Sequence, residues 1–134
     1  MTNGEEVDMS KPSLAELQTL AVAEEWDAID HVLQGVADND EYLGWAETAV
    51  ENEDPNLRDL AISLFEKSSI DLKPTVAEAL TDHMRTDENP YVRFRSAFAL
   101  FQHGSRDTNV INTIKRAPED EDVANIAQSY LDQQ

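Results

Sequence analysis

The chain has three histidines, His31, His83 and His103, as its candidates for acid–base work or metal ligation near neutral pH. They lie far apart in sequence. Around His83 the sequence reads TDHMRTDE, with no HExxH and no second histidine at i+4, so no single helix face presents the ligand pair that zinc sites use. Folding could bring a histidine beside Glu78 or Asp82, but nothing in the spacing favours this, and no metal site is expected. Carboxylates are too abundant for pairs of them to be informative. Two-acid hydrolysis needs a cleft in which the acids have contrasting environments, whereas Glu24, Glu25, Asp27 and Asp30 read as a solvated helix face. There is no G-x-S-x-G elbow for a serine nucleophile and no phosphate-cradling loop among the four glycines. Cysteine is absent, which removes disulfides, thiolate ligands and thiol catalysis. The expectation is a chain with no catalytic residue and no cofactor.

Charge is more informative. The 28 acids and 10 bases give a formal net charge of −18 in 134 residues. The excess is uneven, with fifteen acids and one base (Lys11) in residues 1–57, against thirteen acids and nine bases in residues 58–134. Such a field repels nucleic acid and anionic membrane and attracts basic proteins. It admits three readings: solubility or salt adaptation, which the low lysine content also suits; a docking face for a basic protein; and mimicry of nucleic acid. The N-terminal skew favours a specific face over uniform salt adaptation. No run approaches 18 apolar residues, and the opening MTNGEEVDMSKPS is the opposite of a secretory signal. A cytoplasmic monomer that binds neither membrane nor nucleic acid is expected.

The elements that would position any site are helical throughout. Residues 1–12 read as a flexible acidic tail and residues 13–134 as one domain. Ser13 and Glu16 form a capping box ahead of Leu14, Leu17, Leu20 and Ala21. Trp26, Ile29, Val32, Leu33 and Val36 continue or restart that pattern up to the turn ADND at 37–40. Further helices are expected at about 41–52, 55–67 (opened by Asp54-Pro55), 74–86 (opened by Pro74), 90–103, 107–116 and 120–132. The span 90–103 is apolar nearly all round, with Phe94, Phe98 and Phe101 in one row, so it should be buried among several neighbours. No useful stretch alternates with period two, and the fold class is all-α.

An internal repeat organises these helices. DPNLRDLAISLF (54–65) aligns with NPYVRFRSAFAL (89–100): a capping residue, proline, any residue, an aliphatic, then Arg58 or Arg93. EDEDVANIAQSYL (119–131) keeps the acidic cap and the apolar pattern but lacks the proline and the arginine. Leu57, Val92 and Val123 correspond.

This pattern resembles HEAT repeats, particularly the short kind found in phycobilisome-lyase-type HEAT-like proteins. The resemblance is good over 54–131 and weak before it. It implies a short right-handed α-solenoid of about three helix pairs with an N-terminal helical cap. It also implies that Arg58 and Arg93 each reach an acid of the repeat turns, with Asp54, Asp87 and Glu88 as candidate partners, and tie neighbouring repeats together. The repeat register favours this structural role over the alternative of an anionic-ligand contact. One HEAT-like enzyme family holds iron through His-Glu dipeptides, and this chain has none. The concave surface implied by the resemblance would be lined by the second helices, about 41–52, 74–86 and 107–116. Its candidate partner contacts are Glu47, Glu51, Glu78, Asp82 and Arg85. The function expected is non-catalytic binding of a protein partner, most suitably a basic one. The alternatives are an accessory subunit or chaperone of a cofactor-handling enzyme, with the phenylalanine row lining a groove, and an inhibitor that mimics nucleic acid.

Overall fold

A computed structural model describes residues 12–116 and 121–132, the side chains of 121–123 excepted. Among the described residues the chain forms eight α-helices and no strand. These are α1 (Leu14–Val22), α2 (Trp26–Leu33), α3 (Asp40–Ala49), α4 (Pro55–Lys67), α5 (Pro74–Thr86), α6 (Pro90–Gln102), α7 (Thr108–Lys115) and α8 (Glu121–Leu131). No helix among the described residues is long and apolar enough to cross a membrane. The expected tail, residues 1–12, lies outside the described residues except for Pro12.

Local chemistry sets the helix ends. At α1 the capping box is complete: Ser13 Oγ accepts from the Glu16 amide and Glu16 Oε1 from the Ser13 amide, both at 3.1 Å. The side chains of Asn39, Asp54, Asn89 and Asp107 cap α3, α4, α6 and α7 by accepting from an amide two residues on. Proline occupies the first position of α4, α5 and α6, where its missing N–H costs no helical bond. The apolar pattern over 14–36 is two helices. Glu24 takes a left-handed φ of 59°, and the Glu25 amide reaches back to the Leu20 carbonyl at 2.9 Å, a Schellman stop. Gly104 (φ 101°) ends α6 in the same way, with the Ser105 amide on the Leu100 carbonyl. A glutamate in that conformation carries no sequence signal, whereas a glycine does.

Helices α4 and α6 stack side by side at the centre. Helix α3 packs along α4, α5 along α6, and α7 against both α6 and α8, while α1 closes on α2 and α4. The odd helices α3, α5 and α7 make little contact with one another, which leaves a groove on each side of α5. Every residue of α4 from Asp59 to Glu66 is buried, as is every residue of α6 from Ser96 to Phe101. Fully burying one Leu or Phe side chain contributes about 1.5–3 kcal/mol, so Leu60, Leu64, Phe98 and Phe101 form a major part of the core. The Phe98 and Phe101 rings each lie 5.4 Å from that of Tyr130 in α8. The expected phenylalanine row therefore divides, because Phe94 is only half-buried and faces the groove beside α7.

A polar network crosses this core. Arg95 of α6 donates from Nε to Asp59 Oδ1 at 3.1 Å and from Nη1 to Glu66 Oε1 at 2.9 Å, both on α4. Tyr130 of α8 donates its hydroxyl to the other Glu66 oxygen at 2.6 Å. Ser63 also faces Asp59, and Lys67 Nζ stands 3.7 Å from Glu66 at the rim. Burial pushes the Asp59 carboxyl above its ordinary range, with the Arg95 guanidinium opposing it. Burial and the Glu66 carboxylate push the Tyr130 phenol up, so it remains a donor.

Deleting one member of such a network strands the rest. Arg95→Ala leaves the buried Asp59 and Glu66 side chains without their shared cation and should destabilise the fold by about 3–5 kcal/mol in urea unfolding. Stability close to wild type would show that water replaces the guanidinium there at little cost.

Candidate interaction face

The odd helices carry the expected partner contacts, and α5 divides them into two environments. On one side, Glu47 of α3 and Val50 and Glu51 just beyond its end face Thr75, Val76 and Ala79 of α5 across a groove of about 220 Å³. Glu47 holds Lys73 Nζ with both carboxylate oxygens at 3.0 Å, an exposed pair of the kind that contributes little to stability. Glu51 Oε1 lies 3.3 Å from His83 Nε2, while His83 Nδ1 lies 2.8 Å from Asp87 Oδ2. Both ring nitrogens can donate to these carboxylates only in the imidazolium form. Glu78 and Asp82, one turn apart on α5, are exposed, and no cation among the described residues pairs with them.

The arginines expected to tie repeats together have different surroundings. Arg58 grips Asp87 with a two-pronged fork, Nε to Oδ2 and Nη2 to Oδ1, each at 2.9 Å. Its remaining nitrogen donates to the Asn52 and Glu53 carbonyls at 2.8 and 3.0 Å. One side chain thus joins the α3–α4 turn, α4 and the α5–α6 turn. Asp54 is occupied as the α4 cap and takes no part in the fork. Burial works against the charged form of Asp87, yet the Arg58 guanidinium, the Asn89 amide and His83 together hold its carboxyl below the ordinary range.

Arg93, at the matching position of α6, donates Nη1 to the Asp87 carbonyl at 2.6 Å. Among the described residues it reaches no carboxylate, because the Asp87 side chain is already taken by Arg58 and His83. The turn one repeat further on, with Glu119 and Asp120, lies outside the described residues, as do the side chains of Glu121 and Asp122. Glu88 is exposed and pairs with none of the described cations.

On the other side of α5 the charge reverses. Arg85 lines a pocket of about 580 Å³ together with Met84, Arg93, Phe94, Asn109, Asn112, Thr113 and Arg116. Of the expected contacts, then, Glu47 and Glu51 share the acidic groove, Glu78 and Asp82 stand on α5, and Arg85 faces the opposite side. Sequence reasoning missed Arg116 and the asparagines of α7, whose positions are unremarkable until α7 is docked beside α5. It also missed the network of Asp59, Glu66, Arg95 and Tyr130. A signal for part of it existed: two acids at i and i+7 on one stripe of an otherwise apolar helix require a cation. Among the described residues, no group of three or more His, Asp or Glu side chains is arranged to hold a metal ion. No known protein family, curated protein or solved structure matches the chain.

Asp87 fixes the sign of one pH effect. Because its folded pKa is lowered from the ordinary 3.8, its stabilisation is complete above that value and is lost as pH falls through the depressed one. Asp87→Asn should therefore lower stability at neutral pH by about 1–3 kcal/mol. It should also lose less further stability than wild type on acidification, as measured by urea titrations from pH 7 downward. A variant with wild-type stability and a wild-type acid limb would remove Asp87 as the anchor of this turn.

Proposed function

We propose that this protein is a non-catalytic interaction module, a short HEAT-like α-solenoid whose acidic face on α3 and α5 receives a basic protein partner. The observation that carries this reading is the state of Glu78 and Asp82. They stand exposed on α5 and pair with no cation among the described residues, whereas Arg58, Lys73 and Arg95 are all paired with acids. Two such acids, on a helix that borders the groove lined by Glu47 and Glu51, offer a lysine- or arginine-rich segment charge pairs without breaking existing ones. The solenoid reading is supported by the fork from Arg58 to Asp87, which joins one repeat's first helix to the turn before the next repeat's first helix. It is supported also by the stacking of α4 on α6, the two helices that open with the repeated motif.

Rim charges act mainly on the rate of encounter and are screened over about 8 Å at physiological ionic strength. A partner recovered by affinity capture and identified by mass spectrometry should be basic, and its association should slow steeply with salt. The triple variant Glu51→Gln, Glu78→Gln, Asp82→Asn should reduce the association rate about tenfold at low salt and flatten its salt dependence. Neutralising Glu24, Glu25 and Asp27, which lie elsewhere, should change it much less. Association indifferent to salt and to the triple variant removes the docking face. A melting temperature that climbs into molar salt, with no basic partner recovered, points instead to salt adaptation.

A further inference from the structure

The cations of this chain are unevenly used. Arg58, Lys67, Lys73 and Arg95 each face a carboxylate, and Arg106 lies 3.6 Å over the Phe101 ring. Arg85, Arg93 and Arg116 instead converge on a pocket between α5, α6 and α7, and no carboxylate among the described residues lines it. Arg85 and Arg116 are exposed and have no side-chain partner among the described residues. Arg93 uses one guanidinium nitrogen on the Asp87 carbonyl and reaches no carboxylate among the described residues. Asn109 and Asn112, three residues apart on α7, add two amide groups to the same wall, and Met84 and Phe94 supply an apolar floor.

Helix ends explain only part of this arrangement. Arg85 lies in the last turn of α5 and Arg116 caps the end of α7, where the negative end of each helix favours a cation. Arg93 lies in the first turn of α6, where the same effect opposes it. Three like charges facing one cavity also repel one another, in a protein with 28 acids available to neutralise them. An anion seated among them relieves that repulsion, and planar guanidinium forks match the oxygens of a phosphoryl group.

We propose that this pocket binds a compact phosphorylated small molecule, with its phosphoryl oxygens on Arg85, Arg93 and Arg116 and its organic part against Phe94 and Met84. The volume of about 580 Å³ lies within the range of small-molecule sites. Compactness follows from the rest of the surface. The positive region is local and the net charge is −18, so a long polyanion such as nucleic acid gains three arginines and meets repulsion beyond them. For a ligand contained within the pocket, the charges among its described lining residues are the three arginines.

Calorimetric titration of the full chain with pyrophosphate and with adenosine monophosphate, at constant ionic strength, tests this. Saturable one-to-one binding of either is expected, weakened about ten- to hundredfold by Arg85→Gln and by Arg116→Gln. Both side chains are exposed, so the variants should fold, as circular dichroism can verify. Arg106→Gln removes the same charge outside the pocket and should leave affinity unchanged. Three outcomes overturn the proposal: no saturable binding of either probe, binding that survives the Arg85→Gln/Arg116→Gln double variant, or a single-stranded oligonucleotide binding more tightly than both probes. None of these outcomes bears on the acidic α3–α5 face, which is read by the association kinetics of a basic partner.

Discussion

Arg95 holds the stack of α4 on α6 to its particular geometry. Its guanidinium spans Asp59 and Glu66, two turns apart on α4, so α6 can neither slide along α4 nor rotate against it without breaking a charged hydrogen bond. Hydrophobic contact alone would not impose this, because α4 and α6 are apolar over much of their circumference and could pack in several registers. Glu66 extends the constraint to α8 through the Tyr130 hydroxyl. Buried charges of this kind are costly to desolvate and add little net stability over a well-packed apolar substitute. What they supply here is a defined register, and the grooves beside α5 inherit their shape from it.

A second set of links works at the helix ends. Asp38 accepts from the Ser68 and Ser69 hydroxyls and the Ser69 amide at 2.7–2.9 Å, which ties the α2–α3 turn to the end of α4. His103 donates Nε2–H to the Phe65 carbonyl at 2.6 Å, tying the end of α6 to the end of α4. Arg58 does the same at the opposite ends, through Asp87 and the carbonyls that close α3. The central helices are thus fixed in their middles by Arg95 and at both ends by turn-to-turn bonds. The odd helices, which each lean on an even neighbour and little on one another, are left with open flanks.

The acidic character of the chain has two physical components. Asp59, Glu66 and Asp87 are buried and matched by arginines, and they serve the fold. Glu51, Glu78 and Asp82 are exposed on the odd-helix side of the molecule. A count of acids merges these groups. The bases divide likewise, with Arg58 and Arg95 holding helices together while Arg85 and Arg116 have no side-chain partner among the described residues. Arg58 and Arg93 share the repeat register, and among the described residues Arg58 grips a carboxylate while Arg93 donates to a backbone carbonyl.

By itself the sequence determined the helices and most of their ends, because caps, prolines and Gly104 act within a few residues and apolar periodicity reports one face at a time. It marked the span of α6 as buried through its apolar circumference, and the HEAT-like resemblance offered Arg58 and Arg93 as ties with Asp54, Asp87 and Glu88 as candidate partners. The break at Glu24 escaped it, since a left-handed glutamate is held by backbone bonds that no residue type announces. What only the tertiary structure decided is which distant charges meet. Arg95 with Asp59 and Glu66, Tyr130 with Glu66, and Arg116 beside Arg85 and Arg93 are separated by tens of residues. Their encounters depend on the rotation and offset of packed helices, and helical periodicity leaves both of these free.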